Sequence, residues 1–92
     1  MQNKPIRFSK HALLYKQRRG FSEEEVIESI RTCTWEPAEL GRLQCRKNIP
    51  FNGEWNGKFY HYRQVRPIFV DEEFEIVIIT VYTYYYREGK IQ

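Results

Sequence analysis

The segment from Phe74 to Tyr86 constrains the fold most, because every residue in it except Glu75 is β-branched or aromatic. Such side chains fit a pleated, half-buried surface, so the segment predicts a long strand at the centre of a sheet. Strict alternation along that strand gives a face for packing against helices, made of Val77, Ile79 and Val81. The opposite face changes from apolar to tyrosine-rich and comprises Phe74, Ile76, Ile78, Thr80, Tyr82, Tyr84 and Tyr86.

Two short helices are predicted before the sheet. Ser9 can cap a helix that runs to about Arg18, and Gly20 ends it because glycine readily adopts the left-handed conformation that closes a helix. Ser22 and Glu25 have the spacing of a capping box, in which each side chain bonds the other residue's backbone amide. The second helix therefore begins at Ser22.

Shorter strands are predicted between the second helix and the final strand. Polar and apolar residues alternate from Arg42 to Lys47, and the pairs Asn52-Gly53 and Asn56-Gly57 have the composition of a tight hairpin reversal. Further strands are expected at residues 58–64 and 66–71. The predicted fold class is α+β, with two N-terminal helices packed on a mostly antiparallel, twisted sheet of four to five strands.

Length and composition favour a single domain over residues 1–92. Charged residues interrupt the apolar ones throughout, so no stretch approaches the roughly 20 apolar residues of a membrane-spanning helix. The basic N-terminus is not followed by the apolar core of a secretory signal, which makes the cytoplasm the expected compartment. Cys33 and Cys45 lack the spacing and neighbours of a zinc site, and we expect neither a metal nor a cofactor.

The net charge of +3 is unevenly distributed. Acidic residues gather around positions 23–28 and 71–75, which leaves other regions basic. Arginines and strand tyrosines on one surface can grip phosphates and stack bases. The predicted RNA-binding residues are Arg18, Arg19, Arg46, Arg63, Tyr60 and Tyr84. The tyrosines are equally typical of ordinary strands, where they pair across the sheet.

Four blocks of the sequence, in order, resemble a family of small bacterial and phage proteins of unassigned function. The family pattern is F-S-x-H-A, R-G-(I/F)-S-x-E-E-V, G-R and I-T-V-Y, and the matching segments here begin at Phe8, Arg19, Gly41 and Ile79. That family is similar to the BrnT and RelE/ParE toxins of toxin-antitoxin pairs. RelE and BrnT members cut RNA without a metal, whereas ParE relatives act on gyrase.

The resemblance implies a metal-independent endoribonuclease toxin, with His11, Arg42 and Tyr82 as the catalytic residues. His11 would act as base or acid, Arg42 together with Arg46 would hold the phosphate, and Tyr82 would donate a proton or stack a base. The implied partners are RNA and a cognate antitoxin protein. A homodimer and a ribosome-dependent mode are left open, the latter because no basic, aromatic C-terminal helix is expected after the last strand.

Two other functions fit the same sequence. One is a non-catalytic protein- or RNA-binding module that uses the tyrosine-rich face of the sheet. The other is a gyrase-directed toxin without nuclease activity. The sequence does not distinguish among these functions, nor does it indicate an RNA sequence preference or an antitoxin.

Overall fold

The computed structural model describes residues 4–87. Residues 1–3, which belong to the segment considered for a secretory signal, and residues 88–92, where a C-terminal helix was not expected, lie outside this range. The described part contains three α-helices, six strands and one short 3₁₀ turn. In chain order these are β1 (Ile6–Phe8), α1 (Lys10–Leu14), α2 (Lys16–Arg19), α3 (Glu23–Thr32), β2 (Glu36–Pro37), the 3₁₀ turn (Glu39–Gly41), β3 (Leu43–Gln44), β4 (Lys47–Trp55), β5 (Lys58–Asp71) and β6 (Ile76–Tyr86).

The fold class is α+β, as predicted, with the helices in the N-terminal part of the chain. Six strands form the sheet in place of the four to five expected. The connection after α3 contributes the short strand β2, and the segment predicted as one strand from Arg42 to Lys47 is divided between β3 and β4. The segments predicted as separate strands at 58–64 and 66–71 are one continuous strand, β5.

The first predicted helix is divided into α1 and α2. The Ser9 hydroxyl accepts a hydrogen bond from the Ala12 amide and caps α1. The backbone of Tyr15 leaves the helical conformation, and α2 follows directly. Gly20, at φ 75°, closes α2 through a bond from its amide to the Lys16 carbonyl. Both ends were therefore predicted correctly, and the interruption at Tyr15 was not.

The capping box of α3 is present. The Ser22 hydroxyl accepts from the Glu25 amide, and the Glu25 carboxylate accepts from the Ser22 amide. Glu23, Glu24 and Glu25 occupy the first turn, where the partial positive charge of the helix end favours carboxylates. This helix presents Val26 and Ile30 to the core.

The sheet has the order β1-β6-β5-β3-β2, and β4 pairs with the first part of β5. β1 runs parallel to β6, while the other neighbours are antiparallel. The turn between β4 and β5 lies at Asn56 and Gly57, both at positive φ, as a tight hairpin requires. The pair Asn52-Gly53 lies instead at an irregularity within β4.

The final strand contains a β-bulge. Ile68 of β5 pairs with Thr80, and the next residue, Phe69, pairs with Ile78. Ile79 is therefore an extra residue on β6. A single extra residue reverses which face of the sheet the following side chains occupy.

Because of the bulge, the side chains before Ile79 lie on the opposite faces of the sheet from those predicted. Ile76 and Ile78 join Val81 in the buried core cluster. The prediction that Val77 and Ile79 share the helix-packing face with Val81 is wrong, because strict alternation assumed an uninterrupted strand. After the bulge the predicted assignment is correct.

The core lies between the helices and one face of the sheet. The helical layer contributes Ala12, Phe21, Val26 and Ile30, and the sheet layer and its connections contribute Cys45, Val65, Phe69, Ile76, Ile78 and Val81. The opposite, open face of the sheet has no helix over it among the described residues. Across residues 4–87, no helix combines the length and apolar character needed to cross a membrane.

Candidate functional site

A hollow with a volume of about 510 Å³ lies on the open face, where the 3₁₀ turn meets β3, β5 and β6. Its apolar walls come from Pro37, Ala38, Leu40 and Ile68. Its polar groups belong to Glu39, Arg42, Gln44, Thr80 and Tyr82. This size falls within the range of small-molecule and cofactor pockets.

Two successive residues in the left-handed conformation shape one wall of the hollow. Leu40 has φ 62° and Gly41 has φ 71°. An L-residue with a branched side chain is uncommon in this conformation, which costs free energy that the surrounding structure must offset. The Ala38 amide donates to the Arg42 carbonyl, and the Arg42 amide donates to the Glu39 carbonyl, so the turn is closed from both sides. Leu40 is left 83% exposed at the hollow.

Arg42 is distinguished by what it does not contact. Within residues 4–87 its guanidinium makes no hydrogen bond, ion pair or ring contact; only its backbone is engaged. Arg42 as a residue is partly buried, and a guanidinium without an intramolecular partner retains its full set of N–H donors for a ligand. Such a group suits a phosphate or another planar anion.

Tyr82 lines the hollow beside a second arginine. The Arg19 guanidinium lies 5.1 Å from the centre of the Tyr82 ring and 4.3 Å from that of Tyr15. Its Nη1 donates to the Thr80 hydroxyl at 3.1 Å and to the Val81 carbonyl at 2.9 Å. Arg19 thus fixes the edge of β6 and places a positive charge against the Tyr82 ring.

His11 is exposed on α1, and its ring packs 4.9 Å from that of Tyr15. The contacts that connect it to Tyr82 run through Tyr15 and then Arg19. His11 is not among the residues that line the hollow. The structure therefore brings Arg42 and Tyr82 together and leaves His11 on the neighbouring surface.

The remaining predicted arginines differ in their surroundings. Arg18 is exposed, with its guanidinium 5.5 Å from the Tyr15 ring. The Nη2 of Arg46 donates to both carboxylate oxygens of Glu36, at 2.7 and 2.9 Å. Arg63 binds both carboxylate oxygens of Glu25 and donates to the Gly20 carbonyl. The guanidinium groups of Arg46 and Arg63 are thus occupied within the fold.

The two predicted RNA-binding tyrosines lie on different parts of the sheet. Tyr84 pairs with Gln64 on the open face, and the Arg66 guanidinium lies 4.9 Å from its ring. Tyr60 lies near the hairpin end, where its ring is 5.7 Å from that of Tyr85 and 5.6 Å from the Arg87 guanidinium. Tyr84 thus lies two residues from Tyr82 on β6, whereas Tyr60 lies on β5 near the hairpin.

Tyr85 belongs to the packing between the sheet and the turn at Gly20. Its ring stacks on Trp55 at 4.8 Å, and its hydroxyl donates to the Arg19 carbonyl at 3.0 Å. Burial raises the pKa of the Tyr85 phenol, and the nearby Arg63 partly offsets that rise. The backbone of Arg19 is thereby tied to β6, in addition to its side chain.

Three residues of the site were not predicted from the sequence. Glu39 and Gln44 line the hollow, and Tyr15 joins His11 to Arg19. Glu39 follows Pro37 in a segment predicted only as a connection. Its position just before a Gly-Arg pair that matches the family pattern was the one available signal.

No group of three His, Cys, Asp or Glu side chains among residues 4–87 comes together in an arrangement that could hold a metal ion. Comparison with protein-family models, with curated proteins and with solved structures finds no match to this chain. The resemblance to BrnT and RelE-like toxins therefore stays a prediction.

Proposed function

We propose that this protein is a metal-independent endoribonuclease that binds single-stranded RNA in the hollow on the open face of the sheet. The observation that carries the proposal is that Arg42, whose guanidinium has no partner within residues 4–87, shares this hollow with the Tyr82 phenol. A cation for the phosphate and an aromatic ring for a base are the two elements that single-stranded RNA requires of a protein surface.

Cleavage proceeds through the 2′-hydroxyl of the RNA. A base removes the 2′-hydroxyl proton, the 2′-oxygen attacks the phosphorus, and an acid protonates the departing 5′-oxygen. The products are a 2′,3′-cyclic phosphate and a 5′-hydroxyl end. Arg42 stabilises the charge that develops on the phosphate, and Tyr82 donates the proton or stacks the adjacent base.

His11 is the base or acid of this mechanism. A base or acid must come within hydrogen-bond reach of the atom whose proton it moves, so the proposal requires the scissile phosphate to lie at the rim of the hollow, between Arg42 and the surface beside Tyr15 that carries His11. An imidazole can both accept and donate a proton, which is what the base or acid of this reaction has to do. Arg18 and Arg19 extend the positive surface beside Tyr15, and Tyr84 extends the aromatic one.

The biological setting in this proposal is a bacterial toxin-antitoxin pair in the cytoplasm. It is supported by the order and spacing of the four sequence blocks that resemble the toxin-like family. The antitoxin neutralises the toxin by covering the hollow. The proposal does not require the ribosome, since the hollow is open to a free strand.

The first test is cleavage of an end-labelled single-stranded RNA, with and without EDTA, by the purified chain. We expect EDTA-resistant cleavage that Arg42→Ala reduces by at least about 100-fold. Lys58→Ala is the matched control, because it removes an equal charge from the exposed hairpin turn. Equal activity of the Arg42→Ala protein would remove the phosphate role from this residue.

A second set of variants assigns the proton transfers. His11→Ala and Tyr82→Phe should each lower the rate of cleavage, while binding to 2′-O-methyl RNA of the same sequence is retained. Tyr62→Phe controls for loss of a hydroxyl, since Tyr62 and Tyr82 are 41% and 42% exposed. Tight binding of RNA without any cleavage would indicate a non-catalytic RNA-binding module instead. Toxicity in cells with intact transcripts would indicate the gyrase-directed alternative.

A further inference from the structure

Two opposite charges line the hollow without pairing. Glu39 and Arg42 both contribute to its wall. Glu39 is exposed, and over the described residues 4–87 its carboxylate makes no hydrogen bond or ion pair with Arg42 or with any other side chain. The carboxylate would repel a phosphate, so a site that binds only phosphate does not account for it. A ligand with an anion at one end and N–H donors at the other accounts for both charges.

The lining of the hollow suits a flat ring. Ala38 and Ile68 line the hollow with apolar surface, and the Tyr82 ring adds an aromatic one. Bases in single-stranded RNA are recognised by such stacking together with hydrogen bonds to their Watson–Crick edges. A nucleotide would therefore match both charges and the apolar lining of the hollow, with its phosphate at Arg42 and its base edge at Glu39.

A carboxylate at the edge of a bound base would discriminate among the four bases. An ionised carboxylate accepts hydrogen bonds only. Guanine alone presents two adjacent donors on its Watson–Crick edge, the N1–H and the 2-amino group. Adenine and cytosine place a ring-nitrogen acceptor beside their amino group, and uracil flanks its single N–H with two carbonyl oxygens. Each of these three would direct a lone pair at the carboxylate.

We propose that the hollow selects guanine, with the Glu39 carboxylate accepting from N1–H and the 2-amino group while Arg42 holds an adjacent phosphate. This assignment rests on the proposed RNA-binding function and gives it a base preference. The Gln44 side chain, which also lines the hollow, supplies an amide donor for the O6 carbonyl next to N1.

The test measures binding of the 3′- and 5′-monophosphates of guanosine, inosine, adenosine, cytidine and uridine by calorimetry, using the full chain. We expect guanosine monophosphate to bind about 10-fold to 100-fold more tightly than the adenosine, cytidine and uridine nucleotides. Inosine monophosphate lacks the 2-amino group and should fall between them. Binding of all five with equal affinity overturns the proposal.

Variants assign the preference to its residues. Glu39→Gln should reduce the guanosine-to-adenosine affinity ratio to near one, whereas Arg42→Ala should weaken all the nucleotides by a similar factor and keep the ratio. Glu54→Gln is the matched control, being an exposed carboxylate near the hairpin turn. Thermal unfolding should be unchanged in Glu39→Gln, since this carboxylate has no partner to lose within the described residues. A ratio that survives Glu39→Gln overturns the proposal.

The outcomes separate this inference from the proposed nuclease function. Selective binding of guanosine monophosphate with no RNA cleavage supports guanine recognition and contradicts the nuclease. Cleavage at all four bases at equal rates supports the nuclease and contradicts guanine recognition. A Glu39→Gln protein that keeps its preference for guanosine but cuts no RNA overturns the assignment and makes Glu39 the general base.

Discussion

The guanidinium of Arg19 lies 5.1 Å from the ring centre of Tyr82 while its Nη1 is bonded to Thr80 and Val81, the two residues that precede this tyrosine. One arginine thus fixes both the ring and the strand that carries it. The Arg19 carbonyl also accepts hydrogen bonds from Thr83 and Tyr85, so its backbone is held independently of its side chain.

We predict that Arg19→Ala lowers the free energy of unfolding by about 1–3 kcal/mol, because two hydrogen bonds and two cation–π contacts are lost. Its effect on RNA affinity should exceed that of Arg18→Ala, because the Arg18 guanidinium contacts only Tyr15 within residues 4–87. Urea unfolding and RNA binding measure the two quantities. Equal effects of the two substitutions on stability would contradict the anchoring role of Arg19.

The ion pair between Arg63 and Glu25 should contribute to stability, since both side chains are only 15% exposed. Removing one partner leaves the other charge largely buried without its counter-ion. We therefore expect Arg63→Met to lower the free energy of unfolding by about 2–4 kcal/mol. Glu23→Gln serves as the comparison, because it breaks an ion pair in which the Glu23 and Lys16 side chains are 45% and 43% exposed. That substitution should cost less than about 1 kcal/mol. Urea unfolding of both variants tests the difference.

Gly20 should tolerate no side chain. Its φ is 75°, and an added Cβ would overlap the Tyr85 hydroxyl and come within 2.6 Å of the Trp55 ring. Gly57 has φ 82° with open space around it, so Gly57→Ala isolates the backbone cost of about 1–2 kcal/mol. We predict that Gly20→Ala costs clearly more than Gly57→Ala in thermal unfolding. Similar melting temperatures would show that the packing of Tyr85 and Trp55 is loose.

The two cysteines should differ in reactivity. Burial raises the pKa of the Cys45 thiol to about 11, so very little thiolate exists at pH 8. Cys33 is partly exposed. A thiol reagent at pH 8 should therefore modify Cys33 first and reach Cys45 only on unfolding.

The fold stabilises the Cys45 thiol over its thiolate, so this contribution to stability is present below the unfolded-state pKa. It is lost as the pH rises through that value towards 11. Below pH 11, the Cys45 reaction in a Cys33→Ser protein should accelerate about tenfold per pH unit. Rapid modification of this variant at pH 8 would contradict the buried position.

Local signals in the sequence predicted the helix ends well. The caps at Ser9 and Ser22 and the closing glycine at position 20 depend on bonds within one turn, which composition and spacing reveal. The bulge at Ile79 could not be predicted in this way. It is defined by the pairing of β6 with β5, and single-strand patterns do not encode pairing.

The site was predicted only in part, because long-range contacts decide which of its side chains are available. Arg42 and Tyr82 were named from the sequence and do line one hollow. Whether Arg46 and Arg63 were available was not predictable, because their acidic partners lie 10 and 38 residues away. Glu39 was missed because a short turn with left-handed residues has no periodic pattern.

The extra residue at position 79 also determines which aromatic rings the open surface carries. If Ile79 were paired regularly instead of bulging, strict alternation beyond Ile78 would send the phenol of Tyr82 beneath the helices and bring the isopropyl group of Val81 to the outside. The chemistry available to a ligand is thus set by how one strand pairs with its neighbour, as well as by the identity of its side chains.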